Sequence, residues 1–454
     1  MTGLTQTLAE FVSGLSFTDI PSDAHPIVGR GFADCIAVMF LGRDEEAVTR
    51  LRAFARGMHG PARILFDQGQ SSVEMAGLIN GTAAQAVDFD DATLEGHPSA
   101  VLVPVALAVG EEMGASGRDL LTAYVAGYEI WAELLQRDTD KYHARGFHPT
   151  GLLGTLAAAA CAASLYGLNA IQTRNALAIA ASFASGLVAN FGSMTKPLQT
   201  GHAAESGIRA ARLAANGYTG AEDALEHRLG FLKAFSPEGR VNVDPQTKLG
   251  SDWAIVEKGL NIKLYPICYA AHRIIDAALD LREVSKVDPT RIRTVKASLG
   301  RAQASPLRCH EPTTKVDARF SGEFAVAAAL IAGRVTIDEV RDEFVMRQDV
   351  QSLMRNVSLE LLDGRDPEDS LFSPADWVSI QLSDGETLRS DPVRHARGHA
   401  KNPASDEMLW DKFETCTRAV LGKEGSRNLF ERTMELKNLA SPSDMYRAFD
   451  DVTA

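Results

Sequence analysis

From the N-terminus to about residue 260, apolar positions recur at three- and four-residue spacing, the signature of packed helices. Leu4–Val12 and Ile27–Phe40 read this way. So do residues 72–87, where Met75, Ala76, Ile79, Ala83 and Ala86 share a face. Val101–Met113 stops near Gly114 and Gly117, and Asp119–Glu133 resumes. Leu152–Tyr166, Ala170–Val188 and Gly201–Asn216 follow, crowded with small residues such as Ala157–Ala160, Ala203–Ala204 and Ala210–Ala211. Small side chains let helix axes approach closely, so a compact bundle is expected. No fixed-period self-similarity points to a repeat array.

After about residue 265 the period changes. Val295, Ala297 and Leu299 alternate as in a half-buried strand, as do Val357, Leu359 and Leu361 before Asp363-Gly364. Val378, Ile380 and Leu382 repeat the pattern before Asp384-Gly385, a strong hairpin signal. Helices are predicted between them at Ile274–Leu281, Glu323–Ile331 and Ile337–Phe344. From Ser405 through Phe449 helical spacing returns. The chain thus reads as mainly α with an α+β lid. Residues 1–264 form a large all-helical domain, 265–400 a smaller inserted α/β domain, and 401–454 a helical tail packing back on the first.

Length and charge sharpen this picture. At 454 residues the chain exceeds what one core usually supports. A composition of 45% hydrophobic and 23% charged residues is ordinary for a globular protein. The formal net charge of −13 opposes broad contact with nucleic acid or anionic lipid. It leaves room for an anionic substrate in a locally basic pocket. No signal-peptide pattern opens the sequence and no long uninterrupted apolar run suggests a membrane span. The five cysteines are scattered, with no Cys-x-x-Cys pair, which fits a reducing cytoplasm.

Four clusters carry candidate chemistry. Asp88, Asp90, Asp91, Glu95 and His97 fall within ten residues. On a helix Asp88 and Asp91 would share a face, suited either to a metal or to orienting a substrate, or simply a solvated helix end. No second metal motif appears around Asn190–Ser193, where the sequence runs on to Pro197. Tyr142, His143, Arg145 and His148 precede an alanine-rich helix, whose N-terminus suits a carboxylate; equally, Thr150 could cap that helix with His148 on a backbone carbonyl. Lys196, before Pro197, is either a desolvated base or carboxylate clamp, or an exposed loop lysine. It lacks the glycine spacing of a phosphate loop. Finally, Lys263, Tyr265, Cys268 and His272 stand where the two patterns meet. If Cys268 opens a helix, His272 faces the same side, though a buried cysteine is more often a small hydrophobe than a nucleophile.

These clusters, in this order, resemble the MmgE/PrpD family, which includes 2-methylcitrate dehydratases, cis-aconitate decarboxylases and iminodisuccinate epimerases. The matching segments are Asp88-Phe-Asp90-Asp91 with His97-Pro-Ser99, Gly146-Phe-His148-Pro149-Thr150 and Thr195-Lys196-Pro197. Lys263-x-Tyr265-Pro266 with His272, Ala318-Arg-Phe-Ser321, and Asn402-Pro403 before Lys412-Phe413 complete the set. The resemblance implies a helical domain capped by an α/β lid with the active site between them. It also implies a homodimer, small di- or tricarboxylate substrates, and no metal or organic cofactor. Carried over, Asp88, His97, His148, Lys196 and Lys263 are the catalytic candidates, with Tyr142 added by position. Arg145, Cys268 and His272 are the substrate-binding candidates. Proton abstraction beside a carboxylate needs a placed base and cations for the developing enediolate. Decarboxylases of the family carry a histidine where Cys268 stands and a tyrosine where Phe324 stands. The expectation is therefore a lyase of the 2-methylcitrate dehydratase type, with an epimerase as the alternative, Tyr142 and Lys196 flanking one carbon. A cis-aconitate decarboxylase ranks below both, and a non-catalytic binding protein last.

Overall fold

The computed structural model describes residues 3–67, 69–236 and 239–445. By its internal contacts the chain divides into two units, Met1–Leu260 with Asp406–Ala454, and Asn261–Ser405.

The first unit is a helical bundle. Its helices are α1 (Leu4–Gly14), α2 (Ala24–Gly42), α3 (Glu46–Phe54), α4 (Val73–Gln85), α5 (Pro98–Met113) and α6 (Gly117–Gln136). Then come α7 (Pro149–Leu165), α8 (Ala170–Phe183) and α9 (Thr195–Ala215). Sequence signals set the boundaries. Ser116 with Asp119 and Asn169 with Gln172 form reciprocal capping boxes at α6 and α8. Pro98 and Pro149 occupy the first turns of α5 and α7, where a missing N–H costs nothing. The alanine-rich α7 is buried along nearly its whole length. Helix α2 is long and apolar enough by composition to cross a membrane, but 72% of that stretch is buried within the structure. Phe32, Ile36, Met39 and Phe40 are among its fully buried core residues.

One helix and two boundaries differ from the sequence expectation. Helix α3 was not expected: it is short, and Val48 is its buried anchor. Helix α8 stops at Phe183 because Ala184 turns extended and Gly186 follows at φ +135°. Helix α9 begins at Thr195 rather than Gly201, since Pro197 is tolerated in a first turn.

The second unit packs α10 (His272–Ser285) and α11 (Gly322–Ala332) against a sheet. Its strands are β1 (Ile292–Gly300), β2 (Val357–Leu362), β3 (Trp377–Leu382) and β4 (Thr387–Arg389), in spatial order β2-β1-β3-β4. Strands β1 and β2 are parallel, with Val295 opposite Val357, so a crossover containing α11 joins them. Strand β3 runs antiparallel to β1 and turns through Asp384-Gly385 into β4, as the hairpin signal predicts. Asp363-Gly364 makes no hairpin, because β1 separates β2 from β3. The short helix expected near Ile337–Phe344 is reduced to its last turn. Glu339 instead accepts from the backbone and hydroxyl of Thr336, closing a turn ahead of the one-turn helix Asp342–Val345.

The chain then returns to the first unit through α12 (Asp406–Met434), broken at Gly422 (φ +65°). Leu409, Phe413, Cys416, Leu429 and Phe430 bury its inner face. The expected helical continuation to Phe449 lies outside the described residues.

Candidate active site

His97 and His148 owe their placement to the residue that follows each. A proline disfavours helical geometry in the residue before it. His97 (φ −128°, ψ 72°) and His148 (φ −84°, ψ 107°) are therefore held just outside α5 and α7, one at each N-cap. Lys196 lies in the first turn of α9. Three helix N-termini thus present these side chains, and each adds partial positive charge.

Asp88 does not lie on a helix. Helix α4 ends at Gln85, and Asp88 adopts a left-handed φ of +53°. Asp88 and Asp91 therefore share no helical face, contrary to the expectation. The turn brings Asp88 Oδ1 to 3.0 Å from Lys196 Nζ, with both side chains almost buried. His97 Nδ1 lies 2.9 Å from the Asp91 carbonyl oxygen and 2.9 Å from Asp90 Oδ2. Both partners accept, so Nδ1 carries the proton. Asp91 is fully buried, and its Oδ1 accepts from the Ser99 amide. Burial, with Asp90 and Asp34 nearby, pushes the Asp91 carboxyl well above the usual range. Asp88, Asp90 and His97 offer ligand atoms within 4.8 Å of one another, so a divalent cation would find donors here; Lys196 already brings positive charge to the same carboxylate.

His148 is set by Gln199, one helical turn beyond Lys196. The Gln199 side-chain nitrogen donates to the Leu187 carbonyl, which turns its oxygen toward His148. His148 Nδ1 lies 2.6 Å from that oxygen and must donate, so the lone pair resides on Nε2. Burial, the Lys196 charge and the neighbouring His97 lower its pKa to about 3, so the imidazole is neutral. Gly186 permits this approach: at φ +135° a side chain would be strained, and a Cβ would press on His148 and Gln199. Phe191 presents its ring edge-on to His148 at 4.9 Å and lies under Lys196 Nζ at 5.3 Å.

Tyr142 and Arg145 form an adjoining cluster. Arg145 pairs with Asp138 at 2.7 Å and lies 4.7 Å over the Tyr142 ring. Its charge is thus already matched within the protein. The Tyr142 hydroxyl is buried and lacks a hydrogen-bond partner among the described residues. Burial, reinforced by Asp138, pushes this phenol well above its ordinary range.

Lys263, Cys268 and His272 belong to the second unit. Lys263 is buried there. Cys268 is the N-cap of a short 3₁₀ turn, Tyr269–Ala271, that leads directly into α10; its ψ of 132° is extended and its amide donates to the Arg319 carbonyl at 2.8 Å. His272 begins α10 fully buried, its Nε2 3.0 Å from the Ile267 carbonyl oxygen. All five cysteines are free.

The structure thus brings Asp88, His97, His148 and Lys196 together within the first unit. Gln199, Gly186 and Phe191 went unread in the sequence. Starting α9 at Lys196 would have placed Gln199 on its face.

Residues 6–244 match the MmgE/PrpD N-terminal domain, and residues 265–436 match the MmgE/PrpD C-terminal domain. The cis-aconitate decarboxylase of Mus musculus is 28% identical, over 98% of this chain and 93% of its own length. That of Homo sapiens is 28% identical, over 96% of this chain and 92% of its own. The cis-aconitate decarboxylase of Aspergillus terreus is 25% identical, over 98% and 95%. With both family domains matched in order along the chain, and with relatives that are enzymes over nearly their whole length, the protein belongs to the MmgE/PrpD family.

Proposed function

We propose that this chain is a cofactor-independent lyase that removes a proton next to a carboxylate of a small di- or tricarboxylate and expels a β-hydroxyl, as in 2-methylcitrate dehydration. The observation that carries the reading is the buried Asp88–Lys196 pair beside a neutral His148 whose Nδ1 is tied to Gln199. His148 Nε2 takes the α-proton. The C–H electrons pass into the adjacent carboxylate as an enediolate and return to form the C=C bond as the β C–O bond breaks. The departing hydroxide takes the proton from the His148 imidazolium and leaves as water, restoring the neutral base. The Lys196 ammonium and the N-termini of α5, α7 and α9 stabilise the enediolate charge in a water-poor site.

Decarboxylation of cis-aconitate is the second reading, favoured by the names of the relatives. Against it stand two positions in the second unit. The family resemblance implies that its decarboxylases carry a histidine where Cys268 stands and a tyrosine where Phe324 stands. Phe324 is fully buried in the hydrophobic core of that unit, where no hydroxyl is offered. Epimerisation through Tyr142 fares less well, because a phenol pushed so high donates a proton but does not serve as a base at neutral pH.

One panel distinguishes these reactions. The enzyme is mixed in deuterium oxide with 2-methylcitrate, citrate, cis-aconitate and hydroxy- or amino-dicarboxylates, and followed by enoate absorbance, carbon dioxide release and mass. An unsaturated product without carbon dioxide supports dehydration. Carbon dioxide release from cis-aconitate makes the chain a decarboxylase, and deuterium wash-in without net conversion makes it an epimerase. Neither turnover nor exchange across the panel rejects the reading. Chelator treatment should leave the rate unchanged; loss restored by a divalent ion would assign a metal to Asp88, Asp90 and His97.

A further inference from the structure

Behind the turn that carries Asp88 stands a lysine from the far end of the chain. Lys412, on α12, is 6% exposed and forms an ion pair with the fully buried Asp34 of α2. Its Nζ also donates to the Phe89 carbonyl oxygen at 2.7 Å and stands 3.9 Å over the Phe89 ring. Phe89 separates Asp88, which holds Lys196, from Asp90, which holds His97. One ammonium therefore grips the backbone between the two pairs.

This grip falls where the backbone needs it. Asp88 (φ +53°), Leu94 (φ +53°) and Glu95 (φ +57°) all occupy the left-handed region, which side chains rarely adopt without tertiary support. Asp34, Asp90 and Asp91 crowd the same interior, where Asp90 and Asp34 both act on Asp91. An unanchored loop would relax away from this like-charge cluster and carry Asp88 off Lys196. We propose that Lys412 is a positioning residue: through the Phe89 carbonyl it fixes the loop that sets Asp88 against Lys196 and His97 against Asp90. The proposal rests on the reading of that group as the catalytic machinery.

The competing role is structural: Lys412 merely neutralises Asp34. Three variants separate the two. Lys412→Met removes both functions, Asp34→Asn/Lys412→Met removes the grip without leaving a buried lone charge, and Lys412→Arg keeps a cation. Each is assayed for kcat and KM on the substrate found above, for Tm, and for hydrogen exchange of peptides across the full chain. We expect the double variant to melt near the wild type. Its kcat should fall about tenfold or more at nearly constant KM, in keeping with the sensitivity of rates to small misplacements. Exchange should accelerate only in the peptide covering residues 88–97. Lys412→Arg should recover part of both losses. Wild-type kcat and exchange in the double variant overturn the proposal. If the wild type turns over no acid in the panel, the functional reading has failed, and the localised exchange still decides whether Lys412 holds the loop.

Discussion

At the scale of single residues, protonation state follows from who already holds each atom. Burial and the Lys196 charge hold the resting His148 neutral, while the hydrogen bond that Nδ1 donates to Gln199 works the other way and favours the imidazolium formed when Nε2 takes a proton. The unfolded chain takes up a proton at this residue near pH 6.5, whereas the folded chain resists until about pH 3. Between those values the unfolded state binds more protons, so acid removes stability as pH falls through the window. Replacing His148 with Gln abolishes this linkage. Urea melts at neutral pH and at about pH 4.5 should show the wild type losing about 2 kcal/mol more than His148→Gln over that interval. The same variant should be nearly inactive, having no base. Lys196→Met should lower kcat by about a hundredfold, the scale of losing a placed charge stabiliser. It also leaves Asp88 buried without its partner, so Asp88→Asn/Lys196→Met should melt higher than Lys196→Met while remaining equally slow.

At the scale of elements, close helix contacts place the side chains. Gly201 of α9 lies against α4: a Cβ there would strike the Leu78 carbonyl and the Thr82 hydroxyl, and its own Cα lies 2.9 Å from where Gly81 would carry a Cβ. The first turn of α9 holds Lys196 and Gln199, so displacing the helix displaces both. Gly201→Ala should destabilise the protein by about 1–3 kcal/mol, read by denaturant melts, and lower kcat together with stability. The small residues visible in the sequence announced such contacts; which pairs met was not visible. His97-Pro98 and His148-Pro149 are the reverse case, since the dipeptides alone dictate a residue held outside a helix that starts immediately after it. Lys196 stood open between a desolvated cation and an exposed loop lysine because Pro197 reads as a helix breaker, although a first turn accepts a proline.

At the scale of the whole molecule, the first unit is assembled from two separated stretches. Asp406–Ala454 belongs with Met1–Leu260, and α12 supplies Leu409, Phe413, Leu429 and Phe430 to that interior along with Lys412. The family's C-terminal domain match, residues 265–436, thus extends through a helix that packs with the N-terminal unit. Deleting residues 406–454 should therefore leave a chain whose first unit does not fold. Circular dichroism would show the helix signal of the remaining residues reduced and the cooperative melt lost. A retained cooperative melt would assign that helix a peripheral role.

The choice of Asp88, His97, His148, Lys196 and Lys263 rested on the family resemblance. The amino-acid sequence by itself determined the helical body, the strand patterns at 295–299, 357–361 and 378–382, and the residues held outside the helices ahead of Pro98 and Pro149. These are local quantities: periodicity fixes which face is buried, and a proline fixes the residue before it. The tertiary structure decided the rest, because it depends on atoms far apart in the chain. It put Asp88 on a left-handed turn against Lys196, tied His148 to Gln199, matched Arg145 with Asp138, and brought Lys412 behind Phe89. A net charge of −13 says nothing of these pairings. Protonation and reach are set by burial and by the partner across the fold, and neither is a property of a residue's neighbours in sequence.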